Sequence, residues 1–72
     1  MKYYVISAQP YINKKFYGGY QTLARVEAKH YEAALIKIVK EIPHDTEINR
    51  SGMISTYFND KWQLTYHVEQ ID

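Results

Sequence analysis

The sequence predicts an α+β fold, a two-layer ββαββ sandwich in which one helix packs on one face of an antiparallel sheet. Two short segments near the start have the composition or alternation of strands, an apolar stripe of helical period follows, and the last segment resembles a β-hairpin. The chain has 72 residues, enough for one domain over residues 1–72. It has no cysteine, so no disulfide supports the core, and the core must be dense in large side chains.

The first two elements are predicted strands separated by a long loop. Residues Lys2 to Ala8 are rich in Tyr, Val and Ile and have apolar residues on both faces, which is typical of a central strand. Pro10 interrupts this pattern, and residues 9–19 are expected to form a long loop or irregular hairpin closed by Gly18-Gly19. Residues Tyr20 to Ala28 alternate again and predict the second strand.

The clearest element is a helix that follows the second strand. Glu32 in its first turn and Lys40 in its last suit the helix dipole, and Pro43 forbids continuation. The N-terminus of the helix lacks a typical capping residue, because His30 occupies the position where Ser or Asp is expected. Residues 44–51 are predicted to be a polar connection. The apolar stripe consists of Tyr31, Ala34, Leu35, Ile38, Val39 and Ile42.

The chain is expected to close with a hairpin around the turn-forming pair Asn59-Asp60. Its strands are predicted over residues 53–58 and 61–69. Alternation in the second of them separates an apolar face from a polar one. The apolar face holds Trp62, Leu64, Tyr66 and Val68, and the polar face holds Gln63, Thr65, His67 and Glu69.

Two registers of this hairpin are open. A two-residue turn places Tyr57 opposite Trp62, whereas a three-residue loop with a bulge places Phe58 there. The second register is preferred, because it gathers the apolar residues of both strands on one face. Trp62 is then expected to lie between helix and sheet, close to Leu35 or Ile38.

The sequence shows no constellation typical of an enzyme. The serines lack a nucleophile-elbow motif, and the three histidines, His30, His44 and His67, lie in different elements without metal-ligand spacing. Gly18-Gly19 is not part of a phosphate-binding loop. We therefore expect a protein that is not an enzyme, with no cofactor and no bound metal.

The most unusual segment runs from Tyr11 to Tyr20 and combines aromatic rings with two lysines. Such a segment suits stacking on nucleic-acid bases with lysines on phosphates, and it equally suits a protein interface rich in tyrosine. A third interpretation is that the rings close one end of a small core. The candidate partner-binding residues are Tyr11, Lys14, Lys15, Phe16, Tyr17, Tyr20, Arg25 and Lys37.

Charge is distributed unevenly along the chain. Residues 1–40 carry seven basic and two acidic side chains, whereas residues 41–72 carry two basic and six acidic ones. This asymmetry gives the folded domain a basic and an acidic end unless folding interleaves the halves. No apolar run approaches the roughly 18–20 residues of a membrane span, and the first residues lack the apolar core of a signal peptide. We therefore expect no membrane contact and a location in the cytoplasm.

Four segments define the order of elements along the chain. A strand over residues 1–6 comes first, a second strand ends with Val26-Glu27-Ala28, a helix opens with Glu32-Ala33-Ala34, and an aromatic hairpin over residues 57–66 closes the chain. In this order the chain resembles small phage-encoded inhibitor proteins that block the machinery of a host cell, in particular a short type I-F anti-CRISPR protein. Specific identity is confined to residues 25–38. The resemblance implies a protein without catalytic activity that occludes a nucleic-acid-binding surface on a CRISPR effector subunit.

Three functional hypotheses follow. The first is a binding protein, an inhibitor from a phage or mobile element, that docks on a host protein through residues 11–20 and the adjacent strand edge. The second is a small nucleic-acid-binding module that uses Lys14, Lys15, Arg25 and Tyr17. The third is self-association through an exposed sheet edge, so monomer and homodimer both stay open.

Overall fold

The computed structural model describes residues 1–71, which form six strands and one helix. The elements are β1 (Lys2–Ile12), β2 (Lys15–Phe16), β3 (Gln21–Ala28), α1 (Tyr31–Val39), β4 (Glu47–Ser51), β5 (Ile54–Asn59) and β6 (Leu64–Gln70). All paired strands are antiparallel, and the sheet order is β2-β1-β6-β5-β4, with β3 also paired to β1.

The predicted fold class, an α+β two-layer ββαββ sandwich, is wrong. Strands account for 55% of the structure and the short helix for 13%, and the strands form a curled antiparallel sheet, a half-barrel. The prediction missed β2 and β4. Both are short and exposed along their whole length, so neither carries the buried apolar face from which a strand is recognised in a sequence.

The first strand is confirmed over Lys2 to Ala8, but it continues to Ile12. Of the two alternatives for residues 9–19, the long loop is therefore wrong, and the structure has a hairpin of β1 and β2. A two-residue turn at Asn13 and Lys14 joins β1 to β2, and both residues have positive φ, as in a type I′ turn. The Pro10 carbonyl oxygen accepts from the Tyr17 N–H at 3.0 Å, and Tyr17 lies in the segment between β2 and β3. The backbone of Pro10 therefore faces a gap between the two pairings of β1. Because proline has no N–H to donate, it fits at such a gap without breaking the strand ladder.

The helix is confirmed, and it contacts β1, β3 and β6. His30 does cap it, since its Nδ1 accepts from the Ala33 N–H at 3.2 Å. The helix ends at Lys40, which has positive φ and donates its N–H to the Ile36 carbonyl oxygen at 3.1 Å. Ala34 and Leu35 are buried as predicted, whereas Ile38 is 37% exposed. Ile42, the last residue of the predicted stripe, lies beyond the end of the nine-residue helix.

Both predicted registers of the final hairpin are wrong. Asn59 pairs with Leu64, so four residues form the loop, and Gln63 closes it with positive φ. The Asn59 side chain holds the loop, because its Oδ1 accepts from the Lys61 N–H at 2.9 Å. Trp62 consequently lies in the loop, and its ring is only partly buried against the core rather than enclosed in it as expected.

Trp62→Ala is expected to lower the free energy of unfolding by about 1–2 kcal/mol, less than the roughly 3–5 kcal/mol typical of a buried tryptophan. The ring is only partly buried and packs edge-on against Tyr66, with ring centroids 5.0 Å apart. Urea denaturation of the variant measures the loss. A variant that fails to fold would show that Trp62 carries more of the core than its position in the loop implies.

Candidate functional site

The two faces of the sheet differ in what covers them. The inner face packs on α1 and contains the core residues of the strands, and the outer face is the opposite one. Residues alternate along β1, so Tyr4, Ile6 and Ala8 are buried on the inner face while Tyr3 and Tyr11 point outward. Within residues 1–71 no helix lies on the outer face. The inner-face core consists of Tyr4, Ile6, Ala8, Ala28, Tyr57, Tyr66 and Val68, covered by Ala34 and Leu35.

Three rings on the outer face form what we call the aromatic cluster: Tyr11, Phe16 and Phe58. The ring centroids lie 4.9 Å apart for Tyr11 and Phe16, 5.6 Å for Tyr11 and Phe58, and 6.1 Å for Phe16 and Phe58. Strand pairing explains why the three rings are close together. Phe16 pairs with Tyr11 across the β1–β2 hairpin, and Phe58 lies on β5, two strands from β1 in the sheet. Phe16 remains 50% exposed, so the cluster presents an open apolar surface.

A second aromatic pair lies on the same face, where Tyr20 contacts the ring of His67 with centroids 4.4 Å apart. Burial raises the pKa of Tyr20 even though its side chain is 45% exposed. Thr65 was expected on a polar, solvated face, yet it is fully buried. Thr65 pairs with Phe58 and with Gln9, so large outer-face side chains from two neighbouring strands flank it.

The charges around the aromatic cluster are mixed in sign. Lys14 lines a shallow depression next to Tyr11 and Asp60 at the end of the sheet. A neighbouring depression beside Phe58 has acidic as well as basic walls. Its charged lining residues are Lys14, Lys61, Asp45, Glu47 and Asp60. The cluster therefore lies in a surface that favours neither anions nor cations strongly.

The structure brings together most of the sequence-predicted site residues. Tyr11 and Phe16 lie in the aromatic cluster, Lys14 and Lys15 lie at the adjoining turn, and Tyr20 lies on the same outer face. The remaining three, Tyr17, Arg25 and Lys37, are not part of the cluster.

The position of each of these three residues separates it from the aromatic cluster. Tyr17 is 49% exposed in the segment after β2. Arg25 pairs with Val5 on the outer face, toward the other end of β1. Lys37 is on α1 and donates its Nζ to the Glu27 carbonyl oxygen.

Sequence reasoning missed two members of this face, Phe58 and His67. The preferred register groups Phe58 with Trp62, but Tyr57 and Phe58 are adjacent and either can face inward. Only the observed register decides between them, and Tyr57 takes the inner position. In the sequence His67 is an isolated histidine, and its ring partner Tyr20 is 47 residues away, so no local pattern indicates the pair.

A polar cluster on the inner side connects the start of α1 to the edge strand β4. The Arg50 guanidinium donates to Glu32 Oε2 and stacks over the Tyr31 ring, 4.7 Å from its centroid. The buried Tyr57 hydroxyl also donates to Glu32 Oε2. Arg50 Nη2 further contacts Ser55 Oγ at 3.3 Å. These contacts hold the helix against β4 and β5 and need no ligand to account for them.

Metal-binding and membrane-spanning features were sought throughout residues 1–71. That part of the chain contains no group of three or more histidine and acidic side chains placed to hold a metal ion. No helix formed by those residues is long and apolar enough to cross a membrane. No protein-family model, curated protein or solved structure matches the chain. The resemblance to small phage-encoded inhibitors therefore stays a prediction.

Proposed function

We propose that this is a non-catalytic binding protein that docks on another protein through its outer sheet face. The observation that carries the proposal is the aromatic cluster of Tyr11, Phe16 and Phe58, gathered from three strands on the face opposite the helix. Clustered aromatic rings supply large, rigid contact area, which is why they dominate the binding energy of protein interfaces.

The cluster fits a docking surface better than it fits a core. A second layer that buries apolar side chains normally covers them completely, as α1 covers Tyr4 on the inner face. On the outer face Phe16 and Tyr20 keep about half of their surface in water. Tyr11 and Phe58 are partly exposed beside Phe16, and an exposed apolar patch of this kind favours a partner that covers it.

The mixed charges favour a protein partner over nucleic acid. A nucleic-acid surface needs a basic stripe, because phosphate contacts supply most of the affinity. Here Asp45, Glu47 and Asp60 lie among the lysines that border the cluster. An apolar centre with charges of both signs around it is instead the usual anatomy of a protein interface.

The resemblance to small phage-encoded inhibitors supplies the class of partner that we propose, a host protein such as a CRISPR effector subunit. Binding would occlude the nucleic-acid-binding surface of that protein. Occlusion requires only that the two proteins bind stoichiometrically and tightly, which agrees with a site made of side chains that contribute contact area rather than chemistry.

Phe16→Ala is expected to weaken binding to the partner by about 30-fold, the effect of losing about 2 kcal/mol at an interface hot spot. The partner is first captured from a host lysate by the wild-type protein and identified by mass spectrometry, and dissociation constants are then measured with the purified partner. Ile36→Ala is the matched control, because Ile36 is 45% exposed on the helix, away from the outer face. Equal affinities for both variants would contradict the proposal.

The nucleic-acid alternative is tested with the same proteins. Its specific support is the position of Lys14, which lines a depression together with Tyr11 and Phe58 of the aromatic cluster. It predicts that single-stranded DNA or RNA binds at about 50 mM salt and that affinity falls steeply as salt rises. A mobility shift that Lys14→Ala/Lys15→Ala abolishes would favour this alternative over a protein partner.

A further inference from the structure

The strand β3 lies at an edge of the sheet, and within residues 1–71 it pairs with β1 alone. The Tyr3 carbonyl oxygen accepts from the Ile71 N–H at 2.9 Å, so the backbone of Tyr3 points toward β6 and away from β3. Glu27 is the register partner of Tyr3, and its backbone N–H and C=O therefore point away from β1 as well. Arg25, two residues earlier, has the same orientation.

This open edge is complementary to itself. Arg25 and Glu27 flank Val26, and both side chains lie on the outer face. An antiparallel copy of β3 centred on Val26 places each Arg25 directly opposite the partner's Glu27. Residues directly opposite each other in such a pair exchange both backbone hydrogen bonds, and their side chains lie about 5 Å apart, close enough for an ion pair.

We propose that β3 binds a second copy of this chain, forming a homodimer with one continuous antiparallel sheet. Four backbone hydrogen bonds and two Arg25–Glu27 pairs, related by a two-fold axis through Val26, form its centre. Val26 meets the partner's Val26 on the inner face, and both are partly buried already.

The helices leave room for this arrangement. Each α1 contacts β1, β3 and β6, and β1 lies between the other two strands. The position of β1 therefore marks the middle of the area that the helix covers. In the dimer the two copies of β1 are three strand spacings apart, about 14 Å. Packed helices need only about 8–10 Å between their axes, so the two helices fit side by side. The outer face, with the aromatic cluster, stays uncovered.

The other open edge does not share this complementarity. If two copies of β4 paired in one continuous sheet, each outer-face residue of one copy would lie opposite an outer-face residue of the other. Glu47 pairs with Phe58 on the outer face, whereas Arg50 pairs with Ser55 and reaches Glu32 on the inner side. No such register brings Glu47 opposite Arg50, so β4 offers no charge pairing to a second copy.

Lys37 competes with the dimer. Its Nζ donates to the Glu27 carbonyl oxygen, which is one of the outward backbone groups that the second copy needs. A lysine over an exposed edge is a common device against uncontrolled strand pairing. Lys37→Met removes the donor and keeps the length of the side chain, so it is expected to strengthen dimerisation.

Charge reversal tests the pairing, with the mass in solution measured by sedimentation and light scattering over a range of concentrations. Arg25→Glu and Glu27→Arg should each weaken the dimer by about 10-fold or more, because each places like charges opposite one another. An equimolar mixture of the two variants should form a heterodimer, and the double exchange Arg25→Glu/Glu27→Arg should restore the homodimer. Glu69→Arg makes the same charge change on the outer face of β6 and should leave the dimer intact.

Rescue by mixing is a result that mere loss of folding does not produce. Circular dichroism of each single variant verifies that the monomer is folded. The proposal would be overturned if both the wild-type protein and the Lys37→Met variant, measured separately, stayed monomeric at every concentration. A dimer that neither charge reversal weakens would overturn it as well, because the contact would then lie elsewhere.

Discussion

Tyr57→Ala is expected to unfold the protein or nearly so. The Tyr57 ring is completely buried in the inner-face core, and truncation of a buried aromatic residue costs roughly 3–5 kcal/mol. A domain of this size has a total stability of about 4–11 kcal/mol, at about 0.05–0.15 kcal/mol per residue. Removal of the ring also takes away the hydroxyl donor of Glu32. Urea denaturation followed by circular dichroism measures the loss.

Two further variants separate the ring from the hydroxyl. Tyr57→Phe keeps the ring and removes the hydroxyl, which donates to Glu32 and accepts from Arg50 Nη2 at 3.4 Å. We expect a cost of about 1–3 kcal/mol, since both partners of the hydroxyl are charged. Tyr3→Ala is the matched control for Tyr57→Ala, because Tyr3 lies on the same sheet but is 47% exposed on the outer face. The assignment of Tyr57 to the core fails if the urea midpoints of Tyr57→Ala and Tyr3→Ala coincide.

Stability is expected to fall steeply above pH 10. Burial, reinforced by the hydrogen bond to Glu32, raises the pKa of Tyr57 to about 12, from 10.0 for a free tyrosine. Burial is also the main cause that raises the pKa values of Tyr4, Tyr20 and Tyr66. The folded state thus keeps phenol protons that the unfolded state releases. This contribution to stability is complete below pH 10 and is lost as pH rises from 10 toward 12.

The urea midpoint measured between about pH 9 and pH 11.5 tests this dependence. Tyrosinate absorbance followed in parallel reports whether ionisation accompanies unfolding. Tyr57→Phe removes the phenol whose pKa is raised to about 12, so the urea midpoint of this variant should decline less between these pH values than that of the wild-type protein. Parallel declines for the two proteins would show that Tyr57 does not contribute to alkaline unfolding.

Local patterns of composition and period predicted several elements. The Tyr, Val and Ile content of residues 2–8 predicted β1, the alternation of residues 20–28 predicted β3, and the helical stripe that begins at Tyr31 predicted α1. The polar strand β4 could not be found in this way, because all five of its residues are exposed. Its pairing with β5 and the contact of Arg50 with Glu32 stabilise it, and both come from elsewhere in the chain.

The sequence predicted only part of the candidate site. The unusual density of aromatic rings in residues 11–20 indicated that this segment contacts something, and three of its rings do lie on the outer face. Phe58 and His67 complete that face from β5 and β6, at sequence distances of more than 40 residues from Phe16 and Tyr20. Contacts over such distances follow from strand order, which no local pattern contains.

The sequence by itself determined that β1, β3 and α1 form and that the chain has more aromatic side chains than one small core needs. Only the tertiary structure decided which of those rings are buried. The decision rests on the four-residue loop that Gln63 closes with positive φ, since this loop sets the register of β5 against β6. Side chains alternate along a strand, so a shift by one residue would exchange Tyr57 and Phe58 between the core and the outer face.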